Sequence, residues 1–140
     1  MVIQNRIGGN QDGAEKKGSR AEQVEALQAL LEYNPRLLHS MKAVTVELEG
    51  ERKPDTDEFL RAVINGMNWE IQIVNGTKEV ISEQEVEIDR QKMNESFRAF
   101  SDRFAAKDDY GMARLLFQEI VPFFEIFEQA ARNVVEKEQG

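Results

Sequence analysis

The sequence contains no cysteine, which excludes disulfides, thiolate metal sites and cysteine nucleophiles. It contains one histidine, His39. A single imidazole cannot supply the paired Glu-x-x-His ligands of a di-iron bundle, so no metal site is expected. Positive charge is also scarce: 18 basic against 26 acidic residues leave a formal net charge of −8. Phosphate backbones are held by clustered Lys and Arg that displace counterions, so nucleic acid is not an expected partner. No apolar run approaches the roughly 20 residues of a membrane span, and the first residues carry no apolar core of signal-peptide type. A soluble, cytoplasmic chain without a membrane partner is the expectation. Glycines cluster only near the amino terminus, away from any strand–loop–helix setting for a phosphate, and no cofactor is expected.

What the chain does have is helical periodicity. From Met112 through Leu116, Ile120, Phe123, Phe127, Ala130 and Val134 the steps are four, four, three, four, three, four, which is one helical face. Leu115, Phe117, Val121, Phe124, Ile126 and Val135 widen that face to roughly 240°. A helix so apolar belongs inside a bundle or between a bundle and a partner. Asp108-Asp109 supplies its cap, and Pro122, which frees the carbonyl of Gln118, predicts a kink.

Residues 1–19 hold four glycines and few apolar groups, Met1, Val2, Ile3, Ile7 and Ala14. Such a segment reads as a flexible tail, in which Val2 and Ile7 could form a short docking motif. A single domain is expected over residues 20–140. Val24, Leu27, Leu30 and Leu31 predict a short leading helix that Asn34-Pro35 interrupts. Leu37, Met41, Val44 and Leu48 carry a second helix to Gly50. Val44–Glu49 also alternates like a strand, but it has no second strand to pair with. Asp55 or Thr56 would cap a third helix reaching Asn75-Gly76 or Ile81. Ser82-Glu83-Gln84-Glu85 has the capping-box pattern for a fourth, ending near Lys107. On that helix Met93, Phe97, Phe100 and Phe104 form a core seam. The expected fold is all-α: an antiparallel bundle of four main helices plus the short leading helix.

The third helix has two apolar faces. Leu60, Ile64, Met67, Ile71 and Val74 form a core seam, while Ala62, Gly66, Trp69 and Ile73 run along roughly the opposite side. Small Ala62 and Gly66 would admit another backbone beside Trp69, which suits partner binding. Equally, Trp69 could pack under another helix of its own chain. Between the faces run the amides Asn65, Asn68, Gln72 and Asn75, either a solvated edge or a polar pocket.

Glu119 is the one carboxylate inside the apolar arc of the last helix. Buried without a partner it would be a candidate acid or base; otherwise it accepts from a neighbour such as Asn68, Trp69 or His39 and fixes register. The acidic groups Asp55, Asp57, Glu58, Asp108 and Asp109 sit at helix starts, where the dipole accounts for them without a cation. No catalytic residue is expected.

Ile64-Asn65-Gly66-Met67-Asn68-Trp69, together with Lys107-Asp108-Asp109-Tyr110 followed by Ala113, Leu115, Leu116, Glu119 and Pro122, resembles a family of small uncharacterised bacterial all-helical proteins. The resemblance spans roughly residues 37–130 and implies a helical bundle in which Gly66, Trp69, Glu119 and Pro122 are family features. Gly111 and the long tail depart from the pattern. In size and acidity the chain is also similar to small helical export chaperones and adaptors.

Two functions are therefore expected in competition. The first is a non-enzymatic interaction module, adaptor- or chaperone-like, binding a protein partner or its own twin through Ala62, Gly66, Trp69, Ile73, Phe123 and Phe127. The second is a small-molecule site built from Asn65, Asn68, Gln72 and Glu119 near Pro122.

Overall fold

A capping box starts the first helix: the Ser19 hydroxyl accepts from the Glu22 N–H, and the Glu22 carboxylate accepts from the Ser19 N–H at 2.9 Å. Two amides that a helix start leaves open are thereby satisfied. The computed structural model describes residues 19–84 and 86–139. The expected tail, with Val2 and Ile7, lies outside them apart from Ser19.

Helix α1 spans Arg20–Glu49 without interruption, so the break expected at Asn34-Pro35 does not occur and the leading helix is not a separate element. Buried Leu27, Leu30, Asn34, Leu37, Met41, Val44 and Leu48 follow steps of three and four straight through the proline. Each buried Leu or Met contributes about 1.5–3 kcal/mol. Several of them on both sides outweigh the about 3 kcal/mol that an interior proline costs. Pro35 itself faces solvent. Its substitution should show that cost directly: Pro35→Ala is expected to raise stability by about 2 kcal/mol, after allowing about 1 kcal/mol for the freer unfolded chain. A shift of the urea midpoint at unchanged slope checks this. Gly50 ends α1, its N–H bonding the Val46 carbonyl at 3.0 Å, so Val44–Glu49 is helix.

Helix α2 covers Thr56–Gly76 and a single turn, α3, covers Lys78–Ile81. Neither Asp55 nor Thr56 caps α2 through its side chain as expected. The Thr56 hydroxyl instead accepts from the Lys53 N–H at 2.8 Å and donates to Glu47 at 2.7 Å. Ser82 does not open the fourth helix either: its hydroxyl donates to the Glu79 carbonyl at 2.8 Å, behind it in the chain. Val86 and Ile88 lie half-buried in the connection that follows. Helix α4 begins only at Arg90 and runs to Ala105, capped by Asp89 through the Lys92 N–H at 3.0 Å.

The last helical run is α5, Asp109–Leu115, then a π-helical turn at Leu116–Ile120, then α6, Val121–Gln139. Asp108 caps it through the Gly111 N–H at 2.9 Å. Where proline predicts a kink, the helix widens one turn earlier: the Val121 N–H bonds the Leu116 carbonyl, an insertion that absorbs the misfit around Pro122. The whole Met112-to-Val134 seam is buried, as are Val121, Phe124 and Val135. Leu115 and Ile126 on that arc are half-buried, and Phe117 is 63% exposed. The fold is all-α, with no strand among the described residues. α1 is its centre, packing on α2, α5, the π turn and α6.

Candidate functional site

α2 rests on α1, while α4 rests on α5 and the π turn, and the two make no substantial contact with each other. Between them lies a cleft of about 480 Å³ lined by Arg61, Ile64 and Asn65 of α2 and Phe100, Ser101 and Phe104 of α4. Past Arg61 and Phe104 it runs on into a second cleft of about 580 Å³, bounded by Arg52, Asp57, Lys107 and Met112 among others. Phe100 is fully buried and forms the floor; Phe104, one turn on, is 39% exposed. At the opposite end Arg90 donates to the Asn75 side-chain oxygen at 2.9 Å, a bridge from α4 to α2.

The charges around this groove divide into paired and unpaired. Arg52 donates twice to Asp109, at 2.6 and 2.9 Å, and to Asp57 at 2.7 Å. Those bonds hold the Asp109 carboxyl below its ordinary pKa and pin the α1–α2 connection to the start of α5. Both carboxylates lining the groove thus share the one guanidinium of Arg52. Arg61 and Lys107 line the same groove and have no ion-pair partner among the described residues.

Lys107 also has an unusual backbone, with φ of 57°. It is the left-handed residue of a Schellman motif: its N–H bonds the Phe104 carbonyl at 3.1 Å and the Asp108 N–H bonds the Arg103 carbonyl at 2.9 Å. Glycine takes this place at least cost, because a β-carbon in left-handed geometry costs roughly 1–2 kcal/mol. Lys107→Gly is accordingly expected to stabilise the fold by about 1 kcal/mol, read as a higher thermal midpoint.

A second feature lies inside the bundle. The buried seam of α2 is Leu60, Val63, Met67, Glu70, Ile71 and Val74, which puts a carboxylate where an apolar group belongs. Glu70 is 0% exposed, and neither of its oxygens has a hydrogen-bond partner among the described residues. Burial, and then the nearby charge of Glu128, push its carboxyl up to about 9; at neutral pH it is held protonated. Asn34, also fully buried, donates to the Phe124 carbonyl at 3.2 Å and to Glu128 at 3.3 Å. The other Glu128 oxygen accepts from Arg132 at 2.8 Å.

Comparison with known proteins bears on the same residues. A family model described as a domain of unknown function, DUF8042, matches residues 25–130. The chain belongs to that family. No curated protein and no solved structure matches it. The DUF8042 match takes in the groove, Glu70, Glu119 and the π turn, which all belong to the family domain.

Within the DUF8042 domain the residues expected to bind a partner divide. Ala62 is exposed, Trp69 is 41% exposed and Ile73 is half-buried. Trp69 meets the Tyr33 ring edge-to-face at 5.3 Å, and with Ile73 it lines a shallow cleft of about 250 Å³ beside α1. Gly66 does permit a close approach, but by Tyr33 of the same chain: a β-carbon there would collide with the Tyr33 hydroxyl. Phe123 and Phe127 are not surface anchors. They are 7% and 1% exposed, packed on Phe97 at 6.4 Å and Phe124 at 4.8 Å respectively. Apart from exposed Phe117 and half-buried Leu115 and Ile126, the apolar surplus of the last helix is used within the fold.

The expected pocket of Asn65, Asn68, Gln72 and Glu119 is not assembled. Asn65 lines the α2–α4 groove and Gln72 the cleft beside Trp69, whereas Glu119 lines a third cleft with Arg103, Tyr110 and Arg114. Glu119 accepts from the Ser96 hydroxyl at 2.6 Å, not from Asn68, Trp69 or His39. The π turn that carries it packs on α4, and α2 makes no substantial contact there. Glu119 thus ties α4 to the last helical run. Sequence reasoning missed Glu70, although its place between Met67 and Val74 on a three–four spacing was the signal.

Proposed function

We propose that this chain is a non-enzymatic protein–protein interaction module, an adaptor- or chaperone-like bundle of the bacterial cytoplasm. The observation that carries the reading is the open groove between α2 and α4, with Phe104 and Ile64 accessible above a buried Phe100. A groove floored by aromatic and aliphatic groups and rimmed by polar ones is how amphipathic helices are received. The carboxylates at the groove and at the π turn are otherwise engaged, Glu119 by Ser96, and Asp57 and Asp109 by Arg52, while Glu70 is sealed in the core. In this reading the Gly66–Trp69 and Lys107–Pro122 motifs are family features that build the fold around the groove.

A photo-crosslinking residue at position 104, with one at exposed Val46 as control, tests this in the producing cell. A discrete adduct from 104 and none from 46 supports the proposal, and an adduct of twice the chain mass selects self-association. Identical smears, or no adduct from either position, count against it. The small-molecule reading retains the cleft of about 340 Å³ beside Glu119. Its polar groups already bond one another: Arg103 donates to Asp108 at 2.9 Å and Arg114 to the Tyr110 hydroxyl at 3.2 Å.

A further inference from the structure

We propose that the occupant of the α2–α4 groove is an acidic amphipathic helix of a partner protein, an inference that rests on the interaction-module reading above. Length supports a helix. The α2 residues that line the two clefts run from Asp57 to Asn65, about 12 Å at about 1.5 Å per residue, which takes about two turns of a bound helix and its i, i+3, i+4 and i+7 positions. The floor supplies what an apolar stripe needs: Ile64, Phe100 and Phe104 along one cleft, Leu60 and Met112 along its continuation.

The sign of the partner follows from charge. In a chain of net charge −8, the groove-lining charged groups without an ion-pair partner among the described residues are cations, Arg61 and Lys107. The two carboxylates there are both bound by Arg52. Lys107 holds its place at a left-handed position where glycine would cost less, so its side chain is kept at a price in backbone strain. An incoming helix with carboxylates flanking its apolar stripe would meet Arg61 and Lys107 on a wall whose three cations, Arg52 included, outnumber its two carboxylates. Two copies of this chain docked symmetrically through the groove would set these cations against themselves, which disfavours a twin as the occupant.

The test uses the full chain and a displayed library of helical peptides about four turns long, enough to hold the two contacting turns between flanking ones. Their apolar residues are fixed at i, i+3, i+4 and i+7, and the remaining positions are random. Peptides retained by the wild type but not by Phe104→Glu are sequenced, synthesised and measured by fluorescence anisotropy. The expected result is an acidic set whose affinity falls about tenfold or more in the Arg61→Glu/Lys107→Glu double variant and with rising salt. Trp69→Ala, outside the groove, should leave it unchanged. The positions of Arg61, Lys107 and Phe104 are exposed, so far-UV circular dichroism should be the same for all variants. Phe104-dependent peptides without acidic bias would overturn the choice of partner and leave the interaction reading intact. Absence of any Phe104-dependent peptide would overturn both. A dimer in light scattering that Phe104→Glu dissociates would assign the groove to a second copy instead.

Discussion

Between pH 5 and pH 8 the wild-type chain should lose about 4 kcal/mol of stability relative to Glu70→Gln, because this one acid carries a proton in the fold that it releases on unfolding. The sign follows from proton binding. In the fold the Glu70 carboxyl is pushed up to about 9, while in the unfolded chain it sits near its ordinary value of 4.5. Between those values the folded state binds the extra proton, so stability falls as pH rises, by about 1.4 kcal/mol per unit. Below pH 4.5 the group contributes its full stability; above 9 the loss is complete. The opposite sign applies to Glu83 and Asp109, whose carboxyls are lowered by Arg20 and Arg52. Their contribution is present above the ordinary carboxylate pKa and is lost on the acid side. Urea unfolding of both proteins at pH 5, 6, 7 and 8 separates the two. Stability curves that converge at pH 5 and diverge toward pH 8 meet the expectation. Parallel curves would mean that Glu70 finds a partner in the fold.

Phe100 and Phe104, one turn apart on α4, should differ sharply on truncation. Phe100→Ala is expected to cost about 3–5 kcal/mol, the transfer free energy of a fully buried ring plus the cavity it leaves. Phe104 keeps 39% of its surface in water, and Phe104→Ala is expected to cost about 1 kcal/mol or less. Urea midpoints of the two variants measure the contrast. A large loss from Phe104→Ala would make that ring a structural part of the core and remove it as an accessible wall of the groove.

The helices were legible where apolar spacing was strong. The seam from Met112 to Val134 and the trio Met93, Phe97 and Phe100 are buried as their periodicity requires. Local signals misled at three places, each time because packing outweighed a preference. Pro35 reads as a break, but the seam from Leu27 to Leu48 continues through it, with Asn34 occupying a core position. Ser82 to Glu85 reads as a helix start, yet Ser82 to Gln84 form a turn that closes α3, and the next helix begins only at Arg90, after Val86 and Ile88 tuck against the core. Phe123 and Phe127 read as surplus surface because a single sequence cannot say which helices cover which face. The groove was not legible at all. It exists because α2 and α4 are each anchored elsewhere, a relation between elements far apart in the chain. Glu70 was hidden by its charge, which makes a carboxylate look like solvent-facing filler on an amphipathic helix.

The separate anchoring of α2 and α4 has a dynamic side. Apart from the Arg90–Asn75 bond, little couples the opening of one to the opening of the other. Their amides should therefore exchange with solvent as two cooperative units, at different rates. A body lodged between them touches both, so it would turn two separate opening equilibria into one. Protection from exchange would then spread along both helices, well beyond the side chains in contact.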